Sequence, residues 1–222
     1  MDWPALALSL KLSAWTAGLL LPLAIVAARW LAWSQFRGKS WVEGALALPL
    51  VLPPTVLGYY LLVALGAGTA IGQAYQMVIG RPLVFTFEGL VLASIVFNLP
   101  FAIQPMQRAF ESIPRDVRDA AACCGMTRWQ AFVRVELPLA WPGVLSAMVL
   151  TFAHTLGEFG VVLMVGGNIP GETKTISIAI YDRVQAFDLS AAGTMSAVLL
   201  VLALGAMIFV YSTSSRLARQ HD

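Results

Sequence analysis

The chain of 222 residues is 59% hydrophobic and only 12% charged, with a formal net charge of +2. Soluble globular domains carry roughly 25% charged residues, so a mean hydropathy of +0.76 indicates that lipid is the main solvent. The small net charge argues against a nucleic-acid binder, and two cysteines that are adjacent, Cys123 and Cys124, argue against a disulfide scaffold. The composition predicts an integral membrane protein.

Five uncharged, mainly apolar stretches each have room for one membrane-spanning helix, which needs about 20 residues. They are Leu12–Ala28, Gly44–Gly80, Gly89–Gln107, Leu137–Gly157 and Leu189–Ser215. In the second stretch we place the span at Gly44–Leu65, followed by a loop. The segment Phe159–Tyr181 is apolar enough to re-enter the membrane partway, but a sixth full span there is disfavoured because it would put the C-terminal arginines outside.

The positions of lysine and arginine predict the orientation in the membrane. With the N-terminus outside, ten basic residues fall in inner segments and four in outer ones. The inner set is Arg29, Arg37, Lys39, Arg108, Arg115, Arg118, Arg128, Arg134, Arg216 and Arg219, and the outer set is Lys11, Arg81, Lys174 and Arg183. The C-terminus is therefore predicted to be cytoplasmic.

Nine of the 26 charged residues lie in one cytoplasmic loop, between Arg108 and Glu136. Pro114 fits the first turn of a helix, and apolar residues after it recur at helical spacing. Gly125 supplies a left-handed stop, and Met126–Val135 starts a second helical stretch. A connector between two spans has no need of this structure, so a helix–glycine–helix unit here indicates a docking element.

The residues of this loop resemble the EAA loop of permeases from ABC importers. Asp119, Ala120 and Ala121 are followed at the family's spacing by Gly125 and then by Leu137 and Pro138. The chain departs from the family pattern only by Asp for Glu and Val for Ile. The resemblance implies the type I importer permease fold, an all-α membrane protein whose coupling helices sit in a groove of the cytoplasmic ATPase. All six residues named are then candidates for ATPase coupling.

A longer resemblance is to the molybdate branch of this family. It is carried by the run from Leu48 to Tyr59, by Leu156–Gly160 and by Gly167–Thr175, and it extends over about residues 8–216. Parts of it are shared with sulfate permeases, so a sulfate or tungstate permease remains an alternative. The resemblance implies two copies of this chain, two ATPase subunits and a periplasmic or extracellular oxyanion-binding protein. No cofactor is implied.

Candidate residues of a transport pathway are the prolines of the second span and polar groups in later spans. We select Pro53, Pro54, Asn98, Thr155 and Glu158. Broken helices often line transport pathways, although prolines in spans also occur as simple kinks. No arginine or lysine lies well inside any span, which suits a conduit that must release its anion while a binding protein supplies the affinity.

A different class of function is suggested by His154 and Glu158, which lie four residues apart and so share a helix face. The pair fits an intramembrane enzyme or a proton-coupled carrier. A metal site would need three or four ligands, and the chain has one other histidine, so no metal is expected.

The sequence therefore predicts one transmembrane permease domain over residues 1–222, with five spanning helices and a coupling loop at about 108–136. Its predicted function is the ATP-driven import of an oxyanion, molybdate first, across a bacterial inner membrane by alternating access. The chain itself would catalyse no reaction.

Overall fold

The computed structural model describes residues 1–218, which form eleven α-helices and one π-helical turn, with no strand in that range. The helices are α1 (Trp3–Trp33), α2 (Lys39–Val51), α3 (Pro54–Leu65), α4 (Ala70–Ile79), α5 (Phe87–Glu111), α6 (Arg115–Cys123), α7 (Arg128–Ala131), α8 (Leu137–Leu156), α9 (Gly160–Gly166), α10 (Ile176–Gln185) and α11 (Leu189–Ala218). The π-helical turn, Phe132–Glu136, joins α7 to α8. Arg219, one of the inner basic residues, lies outside the described range.

Four continuous helical segments in the described range are long and apolar enough to cross a membrane. They are Trp3–Trp33, Phe87–Glu111, Arg128–Leu156 and Leu189–Phe209. The pair α2 and α3 passes the same test together, which brings the number to five if the pair counts as one span. The all-α fold class is confirmed, with five spans on that reading.

The predicted second span is not one straight helix, because α2 and α3 meet at an angle of 112°. Leu52 and Pro53 both adopt extended backbone, with ψ of 137° and 135°. Two consecutive prolines lack backbone N–H groups and disfavour helical geometry in the residue before each of them. The span predicted over Gly44–Leu65 is therefore broken at Leu52 and Pro53, within the run of prolines singled out in the sequence.

The predicted loop after Leu65 contains a helix, α4. Its first turn is capped by Thr69, whose hydroxyl accepts a hydrogen bond from the Gly72 amide at 3.1 Å, and it ends at Gly80 with a left-handed φ of 80°. The prediction of a loop overlooked these two signals, a threonine cap and a terminal glycine.

The segment Phe159–Tyr181 forms no full span. It holds α9, which is 7 residues long, and most of α10, which is 10 residues long. Val161, Val162 and Val165 of α9 are fully buried, so this short helix is part of the protein core.

Helices α1, α5 and α8 pack together around small and branched side chains. The buried residues of this cluster are Leu20, Ala24, Ala28, Leu31, Ala102, Ile103, Met106, Phe110, Ile113, Ala140, Val144 and Ala147. Alanines at the contact let the helix backbones approach closely, as is common between membrane helices. This three-helix core leads directly into the loop that carries α6 and α7.

Candidate functional site

The coupling loop consists of two short helices joined by a tight turn at Gly125. Its φ is +74°, its amide donates to Ala122 O at 2.9 Å, and the Met126 amide donates to Ala121 O at 3.2 Å. This is the Schellman arrangement that ends helices at a left-handed residue. The prediction of a stop at Gly125 is confirmed in geometry. Pro114 is the N-terminal cap of α6, one position earlier than predicted.

The six predicted coupling residues divide between exposed and inward positions. Asp119, Ala120 and Gly125 are exposed, and Pro138 is exposed at the start of α8, whereas Ala121 is 5% exposed and Leu137 packs against the core of α1, α5 and α8. One side of α6, with Asp119 and Ala120, is therefore open to a partner, whereas the side with Ala121 packs against the bundle.

A charged cluster connects α6 to the bundle, and the sequence did not reveal it. Arg29 donates from Nε to Glu136 Oε2 at 2.7 Å and from Nη2 to Oε1 at 3.3 Å. Arg118 of α6 lies with Nε 3.9 Å from the same carboxylate, and its guanidinium stacks over Trp33 at 3.8 Å from the ring centre. Glu136 is only 3% exposed, so it is a buried anion held between two arginines.

The π-helical turn brings Glu136 to this position. The Leu137 amide donates to Phe132 O, five residues back, in place of the usual four. Pro138, the next residue, has no amide hydrogen to continue the ladder. Such turns occur often at functional sites. In the sequence, the only indication of this charged cluster is that Glu136 directly precedes the Leu–Pro pair at the start of an apolar span.

The charged cluster borders a first cavity, of about 410 Å³, between α6 and the end of α1. A second cavity, of about 530 Å³, lies where the break between α2 and α3 meets the end of α8. It is lined by Pro54, Thr55, Phe97, Ala153, His154, Gly157, Glu158, Phe159 and Gly160, with no lysine or arginine in this set. His154 Nδ1 donates to Asn98 Oδ1 at 3.0 Å, and Phe101 stacks on the imidazole with ring centres 3.8 Å apart. The cavity is therefore largely aromatic, and its polar lining side chains are Thr55, His154 and the carboxyl group of Glu158.

Glu158 has a structural partner in this cavity. Its Oε1 accepts a hydrogen bond from the Val161 amide at 3.0 Å, which caps the first turn of α9. A Cβ added at Gly160 would lie 2.6 Å from Pro54 Cβ, so the absence of a side chain lets α9 approach the start of α3. Gly160 is a further residue of this site that the sequence reasoning missed.

The five predicted pathway residues are only partly brought together. Pro54 and Glu158 line the cavity, and Asn98 reaches it through its hydrogen bond to His154. Thr155 is buried and donates to Thr151 O at 2.8 Å, and Pro53 lies at the break outside the lining set. The proposed face of His154 and Glu158 is divided, since His154 bonds Asn98 and Glu158 caps α9. Within residues 1–218, no group of three or more potential ligands could hold a metal.

A broken apolar span, a two-helix loop with one exposed side and a weakly polar cavity are the features expected of a membrane component of a transporter. The chain belongs to the family of binding-protein-dependent transport system inner membrane components, which it matches over residues 21–219. It is a transport component, because its relatives are permease proteins. Multiple apolar helices and the family agree that it is a multi-pass membrane protein.

Several permeases are similar to it over most of their length. The molybdenum transport system permease protein of Azotobacter vinelandii is 43% identical over 96% of this chain and 94% of its own. The molybdenum transport system permease protein of Escherichia coli (strain K12) is 40% identical over 83% of this chain and 80% of its own. The sulfate transport system permease protein of Escherichia coli (strain K12) is 30% identical over 84% and 67%.

The fold is also found in solved structures. A chain of a bacterial ABC transporter involved in the import of the acidic polysaccharide alginate superposes with a TM-score of 0.76 at 20% identity, covering 96% of this chain and 78% of that one. A chain of a bacterial alginate ABC transporter in complex with an alginate-pentasaccharide-bound periplasmic protein superposes with a TM-score of 0.75, also at 20% identity. The chain has the type I importer fold and is a permease subunit of an ABC importer.

Proposed function

We propose that this permease imports molybdate across a bacterial inner membrane, as one of two copies above two ATPase subunits and below an external oxyanion-binding protein. The observation that carries the substrate is the 43% identity to a molybdenum permease over 96% of this chain. Sulfate permeases are 30–32% identical, so sulfate is the less supported alternative.

The cavity at the helix break supports an oxyanion pathway by its chemistry. A fixed cation there would hold a dianion tightly and slow its release, and this cavity has none among its lining residues. A hydroxyl group such as that of Thr55, which lines the cavity, supplies a weak, reversible hydrogen bond instead. Pro53, Pro54, Asn98, Thr155 and Glu158 belong to this pathway or its walls, and the second copy completes it.

The coupling loop supports ATP-driven alternating access. Closing of the ATPase dimer moves the two α6 helices, and each α6 is tied to α1 and α8 through Arg118, Glu136 and Arg29. Asp119, Ala120 and Gly125 meet the ATPase, whereas Ala121, Leu137 and Pro138 transmit the motion to the core. Rigid movement of packed helices about an interface is a standard form of such transitions.

Uptake of labelled molybdate at nanomolar concentration tests the substrate, with the neighbouring ATPase and binding protein co-expressed and this chain present or absent. Uptake that requires the chain and persists in excess sulfate supports the proposal, and a parallel competition with tungstate measures the preference between those two anions. Uptake abolished by sulfate would assign the sulfate branch. Equal uptake with and without the chain would overturn the substrate proposal.

Docking is tested separately by two matched variants of α6. Asp119→Asn removes the acid at the family's docking position, and Asp116→Asn removes an equally exposed acid in the first turn of the same helix. We expect Asp119→Asn to reduce co-purification of the ATPase and Asp116→Asn to leave it near the level of the unchanged chain. Equal effects would contradict the role of Asp119.

A further inference from the structure

A third cavity, of about 460 Å³, opens on the outside of the bundle between α1 and the α7 region. It is lined by Val26, Arg29, Trp30, Arg128, Trp129 and Phe132. Its two walls are the last turns of α1 and the first turns of the continuous helix Arg128–Leu156, so it lies at the ends of two spanning helices. By the distribution of basic residues, these ends face the cytoplasm.

Two guanidinium groups border this cavity, and they differ in their partners. Arg29 is held by Glu136 through Nε and Nη2, which leaves Nη1 without a partner in the described part of the chain. Among the side chains that the structure describes, none forms a hydrogen bond or an ion pair with the exposed side chain of Arg128. Arg29 is therefore held in place by Glu136, and Arg128 is available to an external anion.

The aromatic walls of the cavity face outward. Trp129 is 69% exposed and Trp30 is 51% exposed. Each indole is supported by a neighbouring ring: Trp129 lies 5.4 Å from Phe132 and Trp30 lies 5.1 Å from Phe36, measured between ring centres. Tryptophan at the ends of spanning helices prefers the headgroup level of a bilayer, because its ring is apolar and its N–H is polar.

We propose that this cavity binds the headgroup of an anionic phospholipid of the inner leaflet. A phosphodiester monoanion matches the guanidinium of Arg128, which has no acidic partner in the described structure, and Arg29 Nη1 offers a further donor. The acyl chains have the apolar wall of Val26 and Trp30 beside this site. A soluble anion would use the arginines but leave the exposed indoles without a role. The site is independent of the transported substrate.

The test uses the intact complex of this permease with its ATPase in nanodiscs, with native mass spectrometry as the measurement of bound lipid. The probes are dioleoylphosphatidylglycerol and dioleoylphosphatidylcholine, which share acyl chains and differ in charge. The variants are Arg128→Gln, Arg128→Lys and a control, Arg134→Gln. Arg134 is an exposed arginine of the same continuous helix, and it lines neither this cavity nor the one bordered by α6.

We expect the complex to prefer phosphatidylglycerol and Arg128→Gln to reduce that preference about fivefold, which corresponds to the loss of one basic residue at a membrane surface. Arg128→Lys keeps most of the preference, and Arg134→Gln leaves it within about twofold. Equal losses in Arg128→Gln and Arg134→Gln would overturn the proposal in favour of a diffuse field. Competition by millimolar inorganic phosphate would also overturn the proposal, because the site would then bind a soluble anion. A lipid preference seen only without the ATPase would overturn it too, because the cavity would then be part of the ATPase interface.

Discussion

Glu136 and Arg29 form a paired hydrogen bond, at 2.7 Å and 3.3 Å, across 107 positions of the sequence. The carboxylate is 5% exposed and the arginine side chain is 32% exposed. The pair joins the C-terminal end of α1 to the π-helical turn before α8, and Arg118 of α6 approaches the same carboxylate. The coupling helix is therefore connected to two spans through one buried anion.

Glu136→Gln should weaken both the fold and the coupling. Glutamine is neutral and replaces one acceptor oxygen with an NH₂ donor that faces an arginine, and the loss of a charged partner in a largely buried pair costs about 1–3 kcal/mol. We expect a lower melting temperature of the complex and less molybdate imported per ATP hydrolysed, with ATPase docking retained.

The control for this variant is Glu88→Gln. Glu88 bonds Arg81 at 2.8 Å, but both side chains are 47% exposed, so the same change there should cost at most about 1 kcal/mol. A ratio of transport to hydrolysis that falls equally in both variants would argue against a coupling role for Glu136.

Gly125→Pro should insert into the membrane but fail to couple. Proline fixes φ near −65°, whereas Gly125 has φ +74°, and proline removes the amide that donates to Ala122 O. We expect normal amounts in the membrane and uptake near background. Gly171→Pro is the control, because Gly171 has a similar φ of +78° in a loop on the opposite side by our orientation, and it should keep ATPase docking. Normal uptake by Gly125→Pro would contradict the coupling role of the loop.

The sequence predicted features that depend on local patterns. Apolar length located α1, α5, α8 and α11, and one glycine after a short helix located the turn at Gly125. Both signals are local. A segment that crosses lipid must form a helix to satisfy its own backbone groups, and a left-handed φ is a requirement of a single residue.

The features that the sequence did not reveal depend on contacts between residues far apart in the sequence, or on angles that no local pattern fixes. The link between Arg29 and Glu136, and the bond between Asn98 and His154 over 56 positions, arise from the packing of separate helices. The 112° bend was signalled by consecutive prolines, but their presence does not fix the angle, which is set by the packing of α3 against α9.

Gly160→Ala should separate α9 from α3. The added methyl group would lie 2.6 Å from Pro54 Cβ and 3.3 Å from the Pro54 carbonyl carbon, so backbone must shift. Overpacking of this kind costs about 1–3 kcal/mol. We expect a lower melting temperature and reduced uptake. Gly18→Ala is the control, since nothing lies within 4 Å of the added atom, and it should not lower the melting temperature.

Asp182 of α10 gives a pH-dependent contribution to stability. Burial raises the pKa of Asp182, but hydrogen bonds from Lys174, at 2.9 Å, and from Asn168, together with the charges of Lys174 and Arg183, outweigh this and hold the pKa below the ordinary value. The stabilisation is therefore full above about pH 4 and is lost as pH falls through the lowered pKa. Asp182→Asn should cost at most about 1 kcal/mol at pH 7, because the side chain is one-third exposed. The melting temperatures of the two proteins should converge as the pH falls below about 4, and a constant difference would contradict this assignment.

Glu158→Gln separates a structural carboxylate from a catalytic one. The amide oxygen of glutamine can still accept the hydrogen bond from Val161, so α9 stays capped and the fold stays intact. With one negative charge fewer beside the cavity, we expect uptake of the dianion to be equal to or higher than that of the unchanged chain. Glu158→Ala removes the cap as well and should cost about 1 kcal/mol of stability with lower uptake. Loss of transport in Glu158→Gln with unchanged stability and ATPase docking would show that the ionised carboxylate itself is required, as a proton-coupled carrier would need.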